Sequence, residues 1–144
     1  MKAWYAFLLT LLIWGNHQSL NAQAINDDCF SAIELTNVRS WCSSNGFFNN
    51  FSATTSGYGP ATCFSGSGHD VWFSFTAIAT DITILVKPGS LQKPEIALYV
   101  GTCQGTIGEL NCKSNLTAGG VLELYKGGLY PGSVYLIRIQ GENN

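Results

Sequence analysis

His69 and Asp70 are adjacent, and serines are frequent around them. Histidine, aspartate and serine are residue types that can act together in acid-base and nucleophilic catalysis. A serine hydrolase needs a nucleophile on a strained turn and a separate acid that orients the histidine. The Gly-x-Ser-x-Gly motif of such a turn does not occur in the sequence. We interpret residues 66–68 as a flexible loop before the Val71 strand, with Asp70 bonding the turn. No two acids are placed as a glycosidase pair requires, so the sequence predicts a protein without catalytic residues.

Three consecutive residues, Asn26, Asp27 and Asp28, offer the hard oxygen ligands that calcium prefers. Neither an EF-hand spacing nor an Asp-x-Asp-x-Asp ladder accompanies them. The alternative is a solvated acidic segment whose Asx side chains bond their own backbone, and we favour it. Asp27 and Asp28 are therefore weak calcium candidates, and the sequence predicts no metal or other cofactor.

Several aromatic residues occur in a stretch rich in Gly, Ser and Asn, where a flat ring flanked by amide groups could stack on a sugar: Trp41, Phe47, Phe48, Phe51 and Tyr58. Such a platform would resemble that of a carbohydrate-binding module. Aromatic rings also dominate the interior of small sandwiches, and we assign the phenylalanines and Trp72 to the core. For Trp41 and Tyr58 the sequence does not decide between a buried and an exposed position. These two are therefore the predicted ligand-binding residues.

The first 24 residues have the pattern of an export signal. Lys2 supplies a positive start, residues 3–14 form an uncharged apolar run, and Ala22-Gln23-Ala24 fits a cleavage site. This run of about a dozen residues is shorter than the roughly 20 that a membrane anchor needs. The sequence therefore predicts cleavage after Ala24, a secreted or cell-surface location, and one domain over residues 25–144.

All five cysteines follow this signal, and an oxidising compartment favours disulfides over thiols. Five is an odd number, so one thiol has no partner within the chain. Zinc is the competing interpretation. It is disfavoured because no Cys-x-x-Cys pair occurs and His69 is the one histidine beyond the signal.

The charge pattern limits the classes of partner. The formal net charge is −2 at pH 7, and the lysines and arginines beyond the signal are scattered singly. No basic stripe is available to neutralise nucleic-acid phosphates or to bind an anionic membrane surface. We expect a glycan or a surface protein as partner, no nucleic acid, and no membrane insertion after signal cleavage.

Short apolar stretches recur beyond the signal at intervals of roughly 10 to 15 residues, which is typical of a β-sandwich. The predicted strands are 32–36, 47–53, 71–77, 82–86, 96–100, 121–125 and 134–139. In the third of these, Val71, Phe73 and Phe75 alternate with other residues and are expected to form the core face. The fold class predicted is all-β, an antiparallel β-sandwich of jelly-roll-like form.

Pro88-Gly89 and Pro131-Gly132 have the chemistry of type II turns, in which glycine takes a positive φ. The strand at 134–139 is apolar on both faces, which indicates a central position in a sheet. A central strand needs neighbours on both sides, yet the sequence stops soon afterwards. Together with the odd cysteine, this leads us to expect a C-terminally truncated module that lacks its last strand.

Four segments resemble a β-sandwich module of secreted and surface Bacteroidetes proteins of the type IX secretion route, which is similar to bacterial pre-peptidase C-terminal domains. They are 26–35, beginning Asn-Asp-Asp-Cys, 70–77, containing Asp-Val-Trp-Phe-x-Phe, 98–103 and 128–139. The resemblance implies an accessory module without enzymatic activity that serves adhesion, ligand binding or support of a neighbouring domain. Members of the group continue into a Gly-x-Phe-x-x-Cys strand that this sequence lacks.

Spacing and the resemblance together imply one disulfide between Cys103 and Cys112, closing a short loop, and a second between Cys42 and Cys63. Cys29 would then be unpaired and await the missing strand. The sequence alone leaves other pairings open.

The function expected from these observations is that of a non-catalytic extracellular module for adhesion or ligand binding, carbohydrate included, within a larger secreted protein. The alternatives are an accessory domain of a secreted hydrolase such as a peptidase, and a purely structural spacer.

Overall fold

The structure is a computed structural model that describes residues 23–66 and 68–142. The predicted signal sequence lies outside this part of the chain over residues 1–22, and it stays a prediction. Among the described residues, no helix combines the length and the apolar character needed to cross a bilayer.

Within the described residues, a short 3₁₀ turn at Cys29–Ser31 precedes seven strands that form two sheets. The strands are β1 (Ile33–Glu34), β2 (His69–Thr76), β3 (Asp81–Val86), β4 (Gln92–Gly101), β5 (Ile107–Ser114), β6 (Leu122–Gly127) and β7 (Val134–Glu142). One sheet has the order β1-β2-β7-β4-β5 and the other contains β3 and β6. All neighbouring strands run antiparallel except β1, which is parallel to β2. The prediction of an all-β, sandwich-like fold is confirmed.

The central position predicted for the last strand is confirmed as well. β7 lies between β2 and β4, and Arg138 is paired with Trp72 on one side and with Ala97 on the other. Strands buried on both faces carry apolar residues at successive positions. The apolar run in β7 therefore reflects its two covered faces.

One face of the large sheet packs on the small sheet. Val71, Phe73 and Phe75 of β2 face this layer together with inward residues of β4 and β7. Leu122 and Leu124 of β6 cover them from the opposite side. This is the core face that the alternation in β2 predicts.

The second face of the large sheet is also buried, in agreement with the assignment of Trp72 to the core, although the alternation in β2 predicted a single core face. Trp72 is fully buried and packs with Ala97 and Leu136 beneath Ala61 and Phe64. A long loop between β1 and β2 supplies Ala61 and Phe64, so this loop takes the place of a sheet on that side. The protein therefore has two cores, one on each side of the large sheet.

The predicted turn at Pro131-Gly132 is confirmed, whereas the first turn is shifted by one residue: it spans Pro88–Leu91 and has Gly89, not Pro88, at its second position. Gly89 and Gly132 have φ values of 60° and 86°. The backbone N–H of Leu91 donates to the Pro88 carbonyl oxygen at 2.9 Å, and that of Ser133 donates to the Tyr130 carbonyl oxygen at 3.0 Å. Glycine meets the conformational requirement of each turn because it has no Cβ.

One predicted strand, 47–53, is wrong. The segment is irregular, with Ser52 at a φ of 56°. The Asn49 side chain accepts a hydrogen bond from the Phe51 N–H at 3.1 Å, and the Asn50 side chain donates to the His69 carbonyl oxygen at 2.9 Å. Asparagine side chains that bond nearby backbone groups compete with a regular strand ladder.

The predicted disulfides are wrong in both pairs. The structure joins Cys29 to Cys103 and Cys63 to Cys112, and Cys42 is the free, exposed cysteine. Two disulfides are present, as the count of cysteines allows, but Cys29 is bonded and Cys42 is not.

The hairpin of β4 and β5 explains why Cys103 cannot reach Cys112. Cys112 is paired with Ala97, whereas Cys103 lies beyond Gly101 at the turn. At about 3.3 Å per residue, Ala97 and Gly101 are about 13 Å apart, while bonded cysteines need Cα atoms within roughly 7 Å. Both bonded pairs have a Cα separation of 5.7 Å.

Cys42 cannot reach Cys63 because the sheet lies between them. Cys63 packs in the core beside Trp72. Cys42 lies near Phe48, which contacts Phe73 on the other face. The two real disulfides instead fasten the 3₁₀ turn and the long loop to the β4–β5 hairpin.

Candidate ligand-binding groove and buried polar network

Trp41 belongs to an aromatic cluster that is anchored in the first core. The Phe48 ring contacts the Phe73 ring edge to face, with centroids 5.0 Å apart. On Phe48 lie the ring of Trp41, stacked at 6.1 Å, and the ring of Phe47, edge to face at 4.9 Å. Trp41 is 41% exposed and Phe47 is 69% exposed, so the assignment of Phe47 to the core is wrong. A partly buried phenylalanine, Phe48, holds these two rings at the surface.

The exposed rings line a groove of about 290 Å³ at the β1 edge of the large sheet. Its walls are residues of β1 and of the following loop: Ile33, Glu34, Leu35, Trp41, Cys42, Ser43, Ser44, Phe47 and Phe48. The Glu34 carboxylate, the hydroxyls of Ser43 and Ser44 and the Trp41 indole N–H supply hydrogen-bonding groups among these side chains. The groove combines an aromatic floor with hydrogen-bonding groups; we call it the aromatic groove.

Turn chemistry shapes the loop that carries these rings. The chain reverses after β1 where Asn37 takes a φ of 54°. It reverses again at Gly46, with a φ of 67°, where the Phe47 N–H donates to the Ser44 carbonyl oxygen at 3.2 Å. Asparagine and glycine tolerate this left-handed conformation at low cost. The two reversals return Phe47 and Phe48 to Trp41.

Tyr58, the second predicted ligand residue, lies elsewhere. Its ring contacts Trp72 at 5.5 Å, and its hydroxyl donates to the Cys103 carbonyl oxygen at 2.9 Å. Trp72 and Phe73 are consecutive in β2 and point to opposite faces of the sheet. Trp41 and Tyr58 therefore lie on opposite sides of the molecule and do not form one platform.

The calcium candidates are engaged in protein hydrogen bonds. The Asp27 carboxylate accepts from the Thr54 hydroxyl at 2.8 Å and also from the Thr54 N–H. The Asp28 carboxylate accepts from the Phe30 N–H at 2.9 Å and caps the 3₁₀ turn, which is the Asx bonding that we favoured over calcium. In residues 23–66 and 68–142, no group of three His, Cys, Asp or Glu side chains is placed to hold a metal ion.

His69 and Asp70 are separated by the sheet, since consecutive strand residues point to opposite faces. The His69 ring contacts the Ala53 carbonyl oxygen. Asp70 is fully buried in the second core, where its carboxylate accepts from Arg138 at 2.8 Å, from the Trp72 indole at 2.8 Å and from the Ser56 N–H at 2.9 Å. Asp70 does not orient His69, as a catalytic dyad would require.

Arg138 is the centre of this buried network, which sequence reasoning missed. Its guanidinium also donates to the Gly59 carbonyl oxygen and lies against two aromatic faces, 5.2 Å from Phe64 and 5.4 Å from Trp72. Nearby, burial raises the pKa of the Tyr99 phenol, an effect that the positive charge of Arg138 opposes. The one available signal was a charge inside an apolar strand, Arg138 in β7.

A second buried carboxylate, Glu95, fastens the long loop to β4. It accepts from the Ser65 N–H at 2.7 Å and from the Gln140 side chain at 2.5 Å. Gln140 in turn donates to the Gly66 carbonyl oxygen at 3.1 Å. Burial of polar groups is costly unless they are paired. Glu95 and the Gln140 amide nitrogen pair with each other and with the loop backbone, whereas Gln140 Oε1 has no partner among the described residues.

Comparisons of the chain with models of protein families, with curated proteins and with solved structures gave no match in any of the three cases.

Proposed function

We propose that this chain is a non-catalytic extracellular binding module and that the aromatic groove takes a saccharide. The observation that carries the proposal is the pair of exposed rings, Trp41 and Phe47, held side by side by Phe48. Rings that serve the core alone are buried, as Trp72 and Phe75 are.

A sugar ring fits the chemistry of this groove. The C–H groups on one face of a pyranose are apolar and slightly positive, and the face of an aromatic ring is slightly negative. The hydroxyls at the sugar rim need hydrogen-bond partners, which Glu34, Ser43 and Ser44 supply. The groove volume of about 290 Å³ is just below the roughly 300–1,000 Å³ of small-molecule sites, which suits a short glycan segment.

The buried carboxylates support a binding role over catalysis. Asp70 and Glu95 are satisfied by the loop backbone and by neighbouring side chains. Neither lines the aromatic groove. These acids therefore stabilise the loop that covers the second core.

The two disulfides indicate an oxidising compartment. Export by the predicted signal sequence agrees with this. On the resemblance to secreted Bacteroidetes modules we infer a role in adhesion at the cell surface, with a glycan as the attachment point.

Native electrophoresis in gels that contain mixed-linkage β-glucan, xylan or galactomannan tests the proposal. We expect retardation by at least one polysaccharide, and we expect Trp41→Ala or Phe47→Ala to weaken it at least tenfold, about 1.4 kcal/mol. Phe51→Ala is the matched control, since Phe51 is exposed but does not line the groove. Absence of retardation in all three gels, or equal retardation of the Trp41 and Phe47 variants and wild type, would overturn the proposal.

A further inference from the structure

Another exposed aromatic ring lies on the outer face of the small sheet. Tyr125 in β6 is 60% exposed. Gly127, two residues further along the same face, leaves room for its ring, because a Cβ at 127 would be 3.2 Å from the Tyr125 hydroxyl and 3.8 Å from Cζ. The ring therefore lies along the strand over Gly127 and exposes its other face.

Polar side chains surround this ring. Thr83 is its partner across the β3–β6 pair, and Glu123 is two residues away on the same face of β6. Both residues are exposed. A ring beside a hydroxyl and a carboxylate repeats the chemistry of the aromatic groove.

A groove of about 480 Å³ adjoins Tyr125 where β5 and β6 meet. Side chains of β5 bridge the gap: the Asn111 amide donates to the Tyr125 carbonyl oxygen at 2.8 Å, and the Lys113 ammonium donates to the Glu123 carbonyl oxygen at 2.8 Å. An ammonium carries three donor hydrogens, so Lys113 can still donate to a ligand in this groove. The bridges fix the position of β6 and hence of Tyr125.

We propose that Tyr125 and the β5–β6 groove form a second saccharide site, which makes the module bivalent. Tyr125 stacks on a sugar face, Glu123 accepts hydrogen bonds from sugar hydroxyls, and Lys113 and Thr83 donate to them. The ligand class rests on the proposed function, but the site is separate from the aromatic groove.

The sheet order sets the distance between the two sites. The aromatic groove adjoins β1 and the second groove adjoins β5, which are the two outer strands of the large sheet. Four strand intervals of about 4.8 Å separate β1 from β5 by about 19 Å. One sugar ring cannot contact both sites, so each molecule can bind two glycan chains and cross-link them.

Light scattering by mixtures of the full protein with galactomannan, xylan or mixed-linkage β-glucan tests this inference, alongside gel retardation. We expect wild-type protein to cross-link at least one polysaccharide. We expect Tyr125→Ala and Trp41→Ala each to lower the scattering at least tenfold while each still shows gel retardation through its remaining site. Gly127→Val, which displaces the ring and keeps its chemistry, should act like Tyr125→Ala. Tyr130→Ala is the control, because Tyr130 is 75% exposed and lies in the turn before β7.

The outcomes separate the two proposals. Scattering by Tyr125→Ala equal to wild type, or absence of scattering by wild type, would overturn the second site and leave the proposed function to the gel assay. If Tyr125→Ala lost all retardation while Trp41→Ala was retarded like wild type, the aromatic groove would be overturned as a binding site and the Tyr125 site would be kept. An equal loss of scattering in Tyr130→Ala would show that removal of any exposed ring reduces cross-linking. That result would also overturn the second site, because the effect of Tyr125→Ala would not be specific.

Discussion

Removal of one member of the buried ion pair between Asp70 and Arg138 should destabilise the fold strongly. Both side chains are buried, with relative exposures of 0% and 1%. Breaking such a pair costs about 3–5 kcal/mol because a charge is left without its counterion in a medium of low polarity. A domain of this size has about 5–15 kcal/mol of stability in total, so we expect Asp70→Asn and Arg138→Met each to remove a large share of it.

The remaining contacts predict which single change costs more. Without Arg138, the Asp70 carboxylate keeps two N–H donors, from Trp72 and Ser56. Without Asp70, the guanidinium keeps the Gly59 carbonyl oxygen and two ring faces, and its Nε has no partner in the described part of the chain. We therefore expect Asp70→Asn to lose more stability than Arg138→Met.

A double-mutant cycle measured by urea unfolding tests this reasoning. The double variant leaves no unpaired charge, so we expect a coupling energy of at least about 2 kcal/mol for the buried pair. The exposed pair of Lys93 and Glu142, 2.7 Å apart, is the matched control and should couple by less than about 1 kcal/mol. Where a single variant is mostly unfolded, sucrose in all samples restores a measurable folded population. Equal coupling in the two pairs would refute the account of the second core.

A disulfide, a buried phenol and a glycine turn each have a measurable effect on the stability of the fold. The double variant Cys63→Ala/Cys112→Ala should lose about 4 kcal/mol of unfolding free energy, because the disulfide closes a loop with a sequence separation of 49 residues. Cys42→Ala, which removes the free thiol, should match wild type. Peptide mapping that found Cys103 joined to Cys112 would contradict the pairing. The raised pKa of Tyr99 means that the folded state keeps the phenol proton to higher pH than the unfolded state does. The resulting contribution to the free energy of unfolding is complete below a pH of about 10 and is lost as the pH rises further. The urea midpoint should therefore fall more between pH 9 and 11 in wild type than in Tyr99→Phe, and parallel curves for the two proteins would contradict this contribution. Gly101→Ala should lower the free energy of unfolding by more than about 3 kcal/mol, because φ is 114° and a Cβ would lie 2.2 Å from the Thr106 carbonyl oxygen. Gly89→Ala, at a φ of 60° in open space, should lower it by about 1 kcal/mol. Equal melting temperatures of the two variants would contradict the close approach at Gly101.

The strands that the sequence predicted well are those whose burial is periodic. β2, β3, β4 and β7 carry alternating or continuous apolar residues, and the glycines of both Pro-Gly pairs have the predicted positive φ, although the turn at Gly89 is shifted by one residue. β5 was missed because Gly108, Asn111 and Lys113 give it little strand preference. Its pairing with β4 produces the strand, and strand preference depends on such neighbours.

The site could be predicted only in part, because its residues are assembled from distant segments. Trp41 was identified from its polar surroundings in the sequence, and it lines the aromatic groove. Tyr58 came from the same pattern but supports Trp72 and Cys103 in the second core. A residue of this loop can pack on either face of the sheet, and the sequence does not show where the loop crosses over.

The predicted pairing of the cysteines was wrong for a related reason. Short sequence separation favoured Cys103 with Cys112, whereas the rise along β5 carries Cys112 away from the turn and toward Cys63. Proximity along the chain is a poor guide when both residues flank an extended strand.

The indole N–H signals of Trp41 and Trp72 in nitrogen-15-labelled protein test the saccharide groove most directly. Trp41 lines the groove and Trp72 is fully buried on the other side of the sheet. In protein without residues 1–24, these two remain of the four tryptophans, and Trp41→Phe assigns their signals. On titration with oligosaccharides of β-glucan, xylan and galactomannan, we expect at least one of them to move the Trp41 signal in a saturable manner and to leave the Trp72 signal in place. A Trp41 signal that stays fixed with all three would contradict the proposed function.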